Sequence, residues 1–355
     1  MIEQHKKQGM CQAFPPVIFG TSGLGNLYEA LSDETKLAVV KACVDQANGK
    51  LVFDTAGKYG AGLALASLGK CLAKLGVDPA DVWISNKLGW YQIPLTTSEP
   101  TFEPGVWKQL EQDAVQKINY EGIVDCFHQG NQLLGNYSAQ WVSVHDPDEY
   151  LAKAINKKDE AQRYQDILEA YRALAELKMA GKVSGVGVGA KQWNVIERIA
   201  KDVVLDWVMI ANSLTLHNHP PELIRFIASL QRKGIMVINS AVFNGGFLVG
   251  SDYYNYQLVD KNLEEGQQLY VWRRKFWKLC RQFHIQPAEA CFNFGFHVPG
   301  ICSVALNTTK PEKVALNVQM ATRVIPHAFW QAMIAEGLIT ENDAVADFLD
   351  GQSTY

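Results

Sequence analysis

Along the chain, short runs of apolar and β-branched residues alternate with longer stretches in which apolar positions recur every three or four residues. The short runs are Val17-Ile18-Phe19-Gly20, Leu51-Val52-Phe53-Asp54, Val82-Trp83-Ile84-Ser85, Trp141-Val142-Ser143-Val144, Val183 to Val188, Trp207-Val208-Met209-Ile210, Ile235-Met236-Val237-Ile238 and Ile301-Cys302-Ser303-Val304-Ala305. Being almost continuously apolar, they suit strands covered on both faces, as in a parallel sheet. The spacing between them predicts helices over 34–47, 63–75, 107–118, 160–179, 193–200, 221–232, 270–283 and 312–320. Gly76 and Gly181 stand just past helical runs, where a left-handed C-cap costs least, and Pro221 and Pro311 suit a first turn.

About eight strand and helix pairs in 355 residues match an α/β fold of the (β/α)8 TIM-barrel type. A doubly wound sheet is the rival. The expectation is one barrel domain over 1–355 with a helical tail from about 325 to 355. In that tail Phe329 to Ala335 is amphipathic and ends before Gly337, and Thr340-Glu341-Asn342-Asp343 has capping-box spacing. Two insertions break the rhythm: Tyr91 to Pro104 after the third strand, and Gly246 to Gly266, with Tyr253, Tyr254 and Tyr256, after the seventh. Loops leaving the C-terminal ends of barrel strands form the functional face, so both are expected to overhang a site.

Composition narrows the function classes. With 48% hydrophobic and 20% charged residues the chain is neither disordered nor collagen-like, and a net charge of −4 supplies no field for gathering nucleic acid. No apolar run approaches the roughly 20 residues of a membrane span, and no apolar segment follows Met1 to Lys7 as in a secretory signal. A cytoplasmic location, no membrane and no nucleic-acid partner are therefore expected. The seven cysteines are scattered without a Cys-x-x-Cys pair, which suits small buried hydrophobes better than a zinc or disulfide set.

The chemistry is concentrated where strands end. Asp54 closes the second strand, with Tyr59 five residues on; Lys87 follows the third and His145 the fourth. In a parallel barrel these ends lie about 4.8 Å apart around one mouth. Hydride transfer at a carbonyl or carbinol carbon needs a group that exchanges a proton with the oxygen. A phenol does this when an ammonium lowers its pKa from about 10. Asp54 would hold Lys87 charged beside Tyr59, and His145 would orient the substrate oxygen.

These segments resemble a known family. Phe53-Asp54-Thr55-Ala56-Gly57-Lys58-Tyr59-Gly60, Ile84-Ser85-Asn86-Lys87, Ser143-Val144-His145-Asp146-Pro147-Asp148 and the opening Phe19-Gly20-Thr21-Ser22-Gly23-Leu24-Gly25-Asn26 resemble signature segments of the aldo-keto reductase superfamily. The His-Asp-Pro-Asp form, with Ile325-Pro326, Phe329-Trp330 and Gly337-Leu338-Ile339, looks most like its aldose 1-dehydrogenase group, which includes L-fucose and D-threo-aldose dehydrogenases. The resemblance implies a barrel, an extended nicotinamide cofactor, and Asp54, Tyr59, Lys87 and His145 as catalytic residues. It further implies cofactor contacts at Thr21 and Asp54, at Ser240, Phe243, Asn244, Gly245 and Leu248 around the seventh strand, and at Asn307, Thr308, Lys310, Lys313 and Asn317 after the eighth.

The chain also departs from the family pattern. Ser240 stands where a stacking Tyr is usual, and Gly189-Ala190 replaces a Ser-Asn pair, so Asn212 becomes the candidate for the carboxamide contact. Asn307 and Lys313 occupy positions where NADPH-selective members carry Lys and Arg, which favours NAD or dual use over strict NADP. The expected function is transfer of hydride between NAD or NADP and the anomeric carbon of an aldose, giving a lactone, in a monomer or small homo-oligomer acting on a small molecule, a sugar by preference. Trp90, Tyr91, Trp107 and Trp193 are candidates for a sugar-binding wall, while Trp272, Phe276 and Trp277 have core spacing. The rivals are an NADPH-dependent aldehyde and ketone reductase, a zinc-dependent barrel hydrolase using His217 and His219, and a barrel that only binds nicotinamide. Gly185-Val186-Gly187-Val188-Gly189 lacks the third glycine of a dinucleotide fingerprint, and no metal site is expected.

Overall fold

Eight of the apolar runs pair side by side in chain order and close on themselves in the computed structural model, which describes residues 14–47 and 49–340. The barrel strands are β1 (Val17–Gly20), β2 (Leu51–Ala56), β3 (Val82–Leu88), β4 (Trp141–His145), β5 (Gly185–Ala190), β6 (Trp207–Ala211), β7 (Met236–Ser240) and β8 (Ile301–Leu306), and β8 closes on β1 with Val304 opposite Val17. Each lies parallel to its neighbours. The helices are α1 (Asp33–Gln46), α2 (Leu63–Lys74), α3 (Tyr120–Leu134), α4 (Pro147–Ala152), α5 (Lys157–Met179), α6 (Trp193–Asp202), α7 (Pro221–Arg232), α8 (Glu264–Gln282), α9 (Pro287–His297), α10 (Pro311–Gln319) and α11 (His327–Ala335). Ser32, Asn119 and Asn156 each accept a backbone N–H three residues on, and Pro221, Pro287 and Pro311 occupy first turns.

Register explains why the strand ends converge. Ala56 pairs with Lys87, Lys87 with Ser143, and His145 with Gly189. Asp54, Ala56, Lys87, Ser143 and His145 are thus related by even steps and share the inner face of the sheet. Below them the interior is filled with rings: Phe14 stacks on Trp141 at 4.8 Å, and Trp141 on Trp207 at 5.6 Å. The glycine run of β5 makes room for this filling. A Cβ on Gly187 would stand 2.3 Å from the Trp207 ring, one on Gly185 3.1 Å from Trp141, and one on Gly189 3.1 Å from the Lys87 side chain. Val186 and Val188 face outward into the helix layer. The run is therefore an interior vacancy, and no dinucleotide loop is formed there.

One expected helix is absent. Residues 107–118 instead contribute Gln112–Gln116 to an antiparallel hairpin with Trp90–Pro94, Trp90 lying opposite Gln116, and Trp107 bridges to Leu27. The helix of this unit starts later, at the Asn119 cap, and faces the barrel with Ile123, Cys126, Phe127 and Leu134. Two helices that the apolar spacing did not mark, α4 and α9, are also present. The tail as far as residue 340 packs α11 against the barrel's helix layer through Phe329, Trp330 and Met333. The N-terminal segment before residue 14 and the capping-box residues Glu341 to Asp343 lie outside the described residues.

Among the described residues no helix is long and apolar enough to cross a membrane. Cys43, Cys71, Cys126, Cys280 and Cys291 are free and buried, as small hydrophobes would be. Cys302 is disulfide-bonded, which corrects the expectation of a uniformly reduced set.

Candidate active site

Lys87 and Asp54, each 3% exposed, form an ion pair of 2.5 Å, and the Lys87 ammonium also donates to the Thr55 carbonyl at 3.3 Å. Such a pair persists in a buried site because removing either partner leaves an uncompensated charge. The same ammonium stands 4.8 Å from the centre of the Tyr59 ring. Tyr59 sits on the turn after β2, whose N–H donates to the Ala56 carbonyl, and the turn is pressed against the β1 loop. A Cβ on Gly60 (φ +63) would come within 2.3 Å of the Gly25 carbonyl oxygen, so only glycine permits that approach. The His145 ring meets Tyr59 edge to face at 5.6 Å, and Trp107 lies 5.9 Å away on another side. All four strand-end residues thus meet at one mouth.

The electrostatics differ from the sequence expectation in one respect. Burial first, then the carboxylates of Asp54 and Asp146, push the Tyr59 phenol well above its ordinary value instead of lowering it. Lys87 is committed to Asp54 at contact distance, so its field at the phenol is largely cancelled. Burial, followed by the positive charges of Lys87 and Lys58, holds His145 well below its usual range. At neutral pH the site therefore presents a protonated phenol and a neutral imidazole.

A second set of charges, not anticipated from the sequence, surrounds the mouth. Lys58, next to Tyr59 and only 4% exposed, contacts Glu103 at 2.8 Å, Glu149 at 3.1 Å and Asp146 at 3.2 Å. Burial opposes its charge, but the three carboxylates outweigh that and raise its pKa. Lys191 pairs with the other oxygen of Glu149. Asp146, held in the left-handed region at φ 47, places Oδ2 3.6 Å from His145 Nε2. Asp148 accepts the N–H groups of Lys191 and Gln192 at the start of α6. The one available signal was the acidic run Asp146-Pro147-Asp148-Glu149 directly after His145.

The expected cofactor residues fall into three groups. Thr21 is buried and donates to the Asp54 carbonyl at 3.0 Å. Asn212, 5% exposed and at φ 60, leaves Oδ1 without a hydrogen-bond partner, while its N–H donates to the Ser240 carbonyl. After β7, Phe243 is half-buried, and the chain turns through the left-handed region at Asn244, Gly245 and Gly246. Asn244 also holds a buried Oδ1 without a partner. Leu248 is fully buried and its carbonyl accepts from Trp277, so it supports this loop from beneath. Beyond β8, Asn307 accepts the Gly23 N–H at 3.3 Å, Thr308 accepts the Lys310 N–H, Lys310 precedes α10, and Lys313 is exposed on its first turn with Asn317 one turn later. An orphaned amide oxygen at a strand end, a glycine turn and a cationic helix start suit a carboxamide, a pyrophosphate and an adenosine phosphate in that order.

The second insertion roofs the mouth. Tyr253–Tyr254 pairs with Gln257–Leu258, and the tip residues Asn255 and Tyr256 are both left-handed, at φ 48 and 70. Asn244 donates its side-chain N–H to Asn255 at 2.9 Å, the Gly245 Cα faces the Tyr256 N–H, and Tyr253 lies against Tyr28. Of the four aromatics proposed as a wall, Trp107 touches the phenol. Trp90 packs on Phe102, Lys117 covers Tyr91, and Trp193 packs on Phe226 between helices. His217 and His219 have separate partners: His217 meets the Tyr254 hydroxyl at 2.9 Å, and His219 the Thr215 carbonyl at 3.2 Å and the Phe294 ring. Surface hollows of about 420 and 500 Å³ lie outside the barrel, beside α6 and between α8 and α9, and are lined by none of the four strand-end residues.

The model of the aldo/keto reductase family matches residues 16–335. A pyridoxal 4-dehydrogenase of Microbacterium luteolum is 26% identical over 339 residues, covering 90% of this chain and 93% of the relative. A D-threo-aldose 1-dehydrogenase of a Pseudomonas species is 25% identical, covering 92% and 95%. Among solved structures, the glycerol dehydrogenase of Gluconobacter oxydans superposes with a TM-score of 0.65 at 15% identity over 92% of this chain and 94% of its own. The holo form of an aldo-keto reductase from Bacillus halodurans gives 0.65 at 17% identity over 92% of each chain.

Proposed function

Because the chain belongs to the aldo/keto reductase family, and is thereby an oxidoreductase using a nicotinamide cofactor, we propose that it oxidises the anomeric carbon of an aldose to a lactone, with Asp54, Tyr59, Lys87 and His145 as the reacting group. The observation that carries this reading is the buried Lys87–Asp54 pair set against a phenol that is itself in contact with a neutral imidazole. The aldose-dehydrogenase relative, aligned over nearly the whole chain, supports the sugar.

A nicotinamide bound here supplies the hydride acceptor in oxidation and the donor in reduction. The chain's own groups handle the proton and the oxygen. Tyr59 exchanges the proton of the substrate oxygen, as base when the carbinol is oxidised and as acid when the carbonyl is reduced. The neutral His145 orients that oxygen by a hydrogen bond. Lys87 and Asp54 fix the phenol's surroundings, and Trp107 supplies an aromatic face beside it. Asn212, the Asn244 to Gly246 turn and the start of α10 would hold the cofactor. Lys313, a point charge in place of a bidentate fork, and an Asn307 already bonded to the Gly23 N–H favour NAD or dual use.

The test is formation of reduced nicotinamide while aldoses, pyridoxal and simple aldehydes are offered in turn with each cofactor. The expected result is oxidation of one or more aldoses, with NAD⁺ used at least as well as NADP⁺. The pyridoxal dehydrogenase relative motivates the second substrate class. Turnover of pyridoxal or simple carbonyls with no aldose oxidised overturns the sugar reading.

A further inference from the structure

The charges outside the reacting group form one hub. Lys58 belongs to the loop after β2 that carries Tyr59. Glu103 belongs to the insertion after β3 and also accepts the Trp107 indole N–H at 2.7 Å, while Trp107 lies against the Tyr59 ring. Asp146 directly follows His145, the last residue of β4, and Glu149 lies on α4 just beyond it. One buried ammonium, with three carboxylates within 3.2 Å, therefore ties together the three loops that deliver the phenol, the indole and the imidazole. A purely structural ion pair would need one carboxylate, whereas this buried lysine draws in the buried Asp146 and the half-buried Glu103 and Glu149 as well. The ring of contacts is closed by a left-handed, non-glycine Asp146, a conformation that persists only where its surroundings enforce it.

We propose that Lys58 is a positioning residue for the reaction: by gathering Asp146, Glu103 and Glu149 it fixes His145 and Trp107 around Tyr59. This rests on reading Tyr59 and His145 as reacting groups. Lys58 touches none of the reacting atoms itself and acts through its carboxylates. Around His145, the charges of Lys87, Lys58 and Lys191 oppose its protonation and that of Glu149 favours it; Asp146 stands 3.6 Å away, the Tyr59 ring is in edge contact, Asp54 is paired with Lys87, and Tyr256 of the roofing hairpin lies against Lys191. Of these, Lys58 contacts the same Asp146 oxygen that faces the imidazole, so its loss leaves Asp146 facing His145 without compensation.

The test compares Lys58→Met, Glu103→Gln and Tyr59→Phe with the parent enzyme by steady-state kinetics across pH, thermal unfolding and NMR titration of imidazole protons. In Lys58→Met the acid limb of kcat and the His145 titration are expected to move to higher pH, with kcat lower by about 10- to 100-fold, the size of effect that small misplacements produce. Lys58→Arg restores the limb. Glu103→Gln, which removes one of the more numerous carboxylates and so keeps the hub foldable, is expected to lower kcat several-fold with little change in KM or melting temperature. An unmoved acid limb and imidazole titration in Lys58→Met, or an unchanged kcat in Glu103→Gln should Lys58→Met not fold, overturns the proposal. Tyr59→Phe separates the two failures. If it retains full turnover, the reacting group has been misassigned and both readings fall; if it is inactive while the other variants match the parent, the positioning role alone falls.

Discussion

Lys87 and Asp54 show how much rests on two side chains. Replacing Lys87 with Met leaves a carboxylate buried at the barrel mouth without its partner, which is expected to cost about 3–5 kcal/mol of stability, measurable by denaturant unfolding. The double variant Lys87→Met/Asp54→Asn is expected to recover much of that loss, because no charge is then stranded. Tyr59→Phe changes no charge and is expected to keep the fold while turnover falls by about 10² to 10⁴-fold. The raised pKa of Tyr59 also fixes a pH trend. Oxidation needs the phenolate, whose population grows with pH, so oxidative turnover is expected to climb through the alkaline range. Reduction needs the phenol and is expected to stay level across neutrality. At this scale the sequence was informative where a polar residue ended an apolar run, as with Asp54, Lys87 and His145. It was silent on Lys58, since a lysine in a loop resembles a solvated charge until two other segments close around it.

At the scale of elements, the eight strands were legible because both faces of each are buried, which writes an apolar run into the chain. The segment 107–118 misled because its apolar residues also fit helical spacing; a hairpin partner upstream at Trp90–Pro94 decides its form. The signals for α3 were present in the Asn119 cap, the spacing of Ile123, Phe127 and Leu134, and Gly135 at the end, and those for α9 in Gln286-Pro287 with Glu289 closing the capping box. The β5 glycines make a prediction of this scale. Gly187→Ala drives a methyl into Trp207, and a loss of about 1–3 kcal/mol is expected in denaturant unfolding. The roofing hairpin makes another. Burial, then the neighbouring His219, lowers the His217 pKa to about 4, and its ring is bonded to Tyr254 of the hairpin. The unfolded chain takes up that proton near pH 6.5, well before the folded one does, so the contribution of His217 to stability is complete above 6.5 and is lost as pH falls to about 4. In His217→Gln, melting temperatures measured over that interval are expected to depend less on pH.

For the molecule as a whole, the net charge of −4 supplies no attractive field for an anionic cofactor, so on the proposed reading local features, the turn at Gly245 and the cationic start of α10, would have to hold it. A single transition, coincident in far-ultraviolet dichroism and in tryptophan emission, is the expected outcome for one domain; two separated transitions would argue for two. The rings that fill the lower barrel give the second of those probes its meaning. Trp141 and Trp207 stack face to face with Phe14 on one side and Trp83 at the edge, sealed from water, while Trp107 stands at the mouth beside Tyr59. Light absorbed by the sealed stack is re-emitted from an apolar medium that aqueous quenchers do not reach, whereas the mouth indole responds to whatever occupies the site. The chain thus carries two colour reports without any label, one on whether the cylinder is shut and one on whether it is filled.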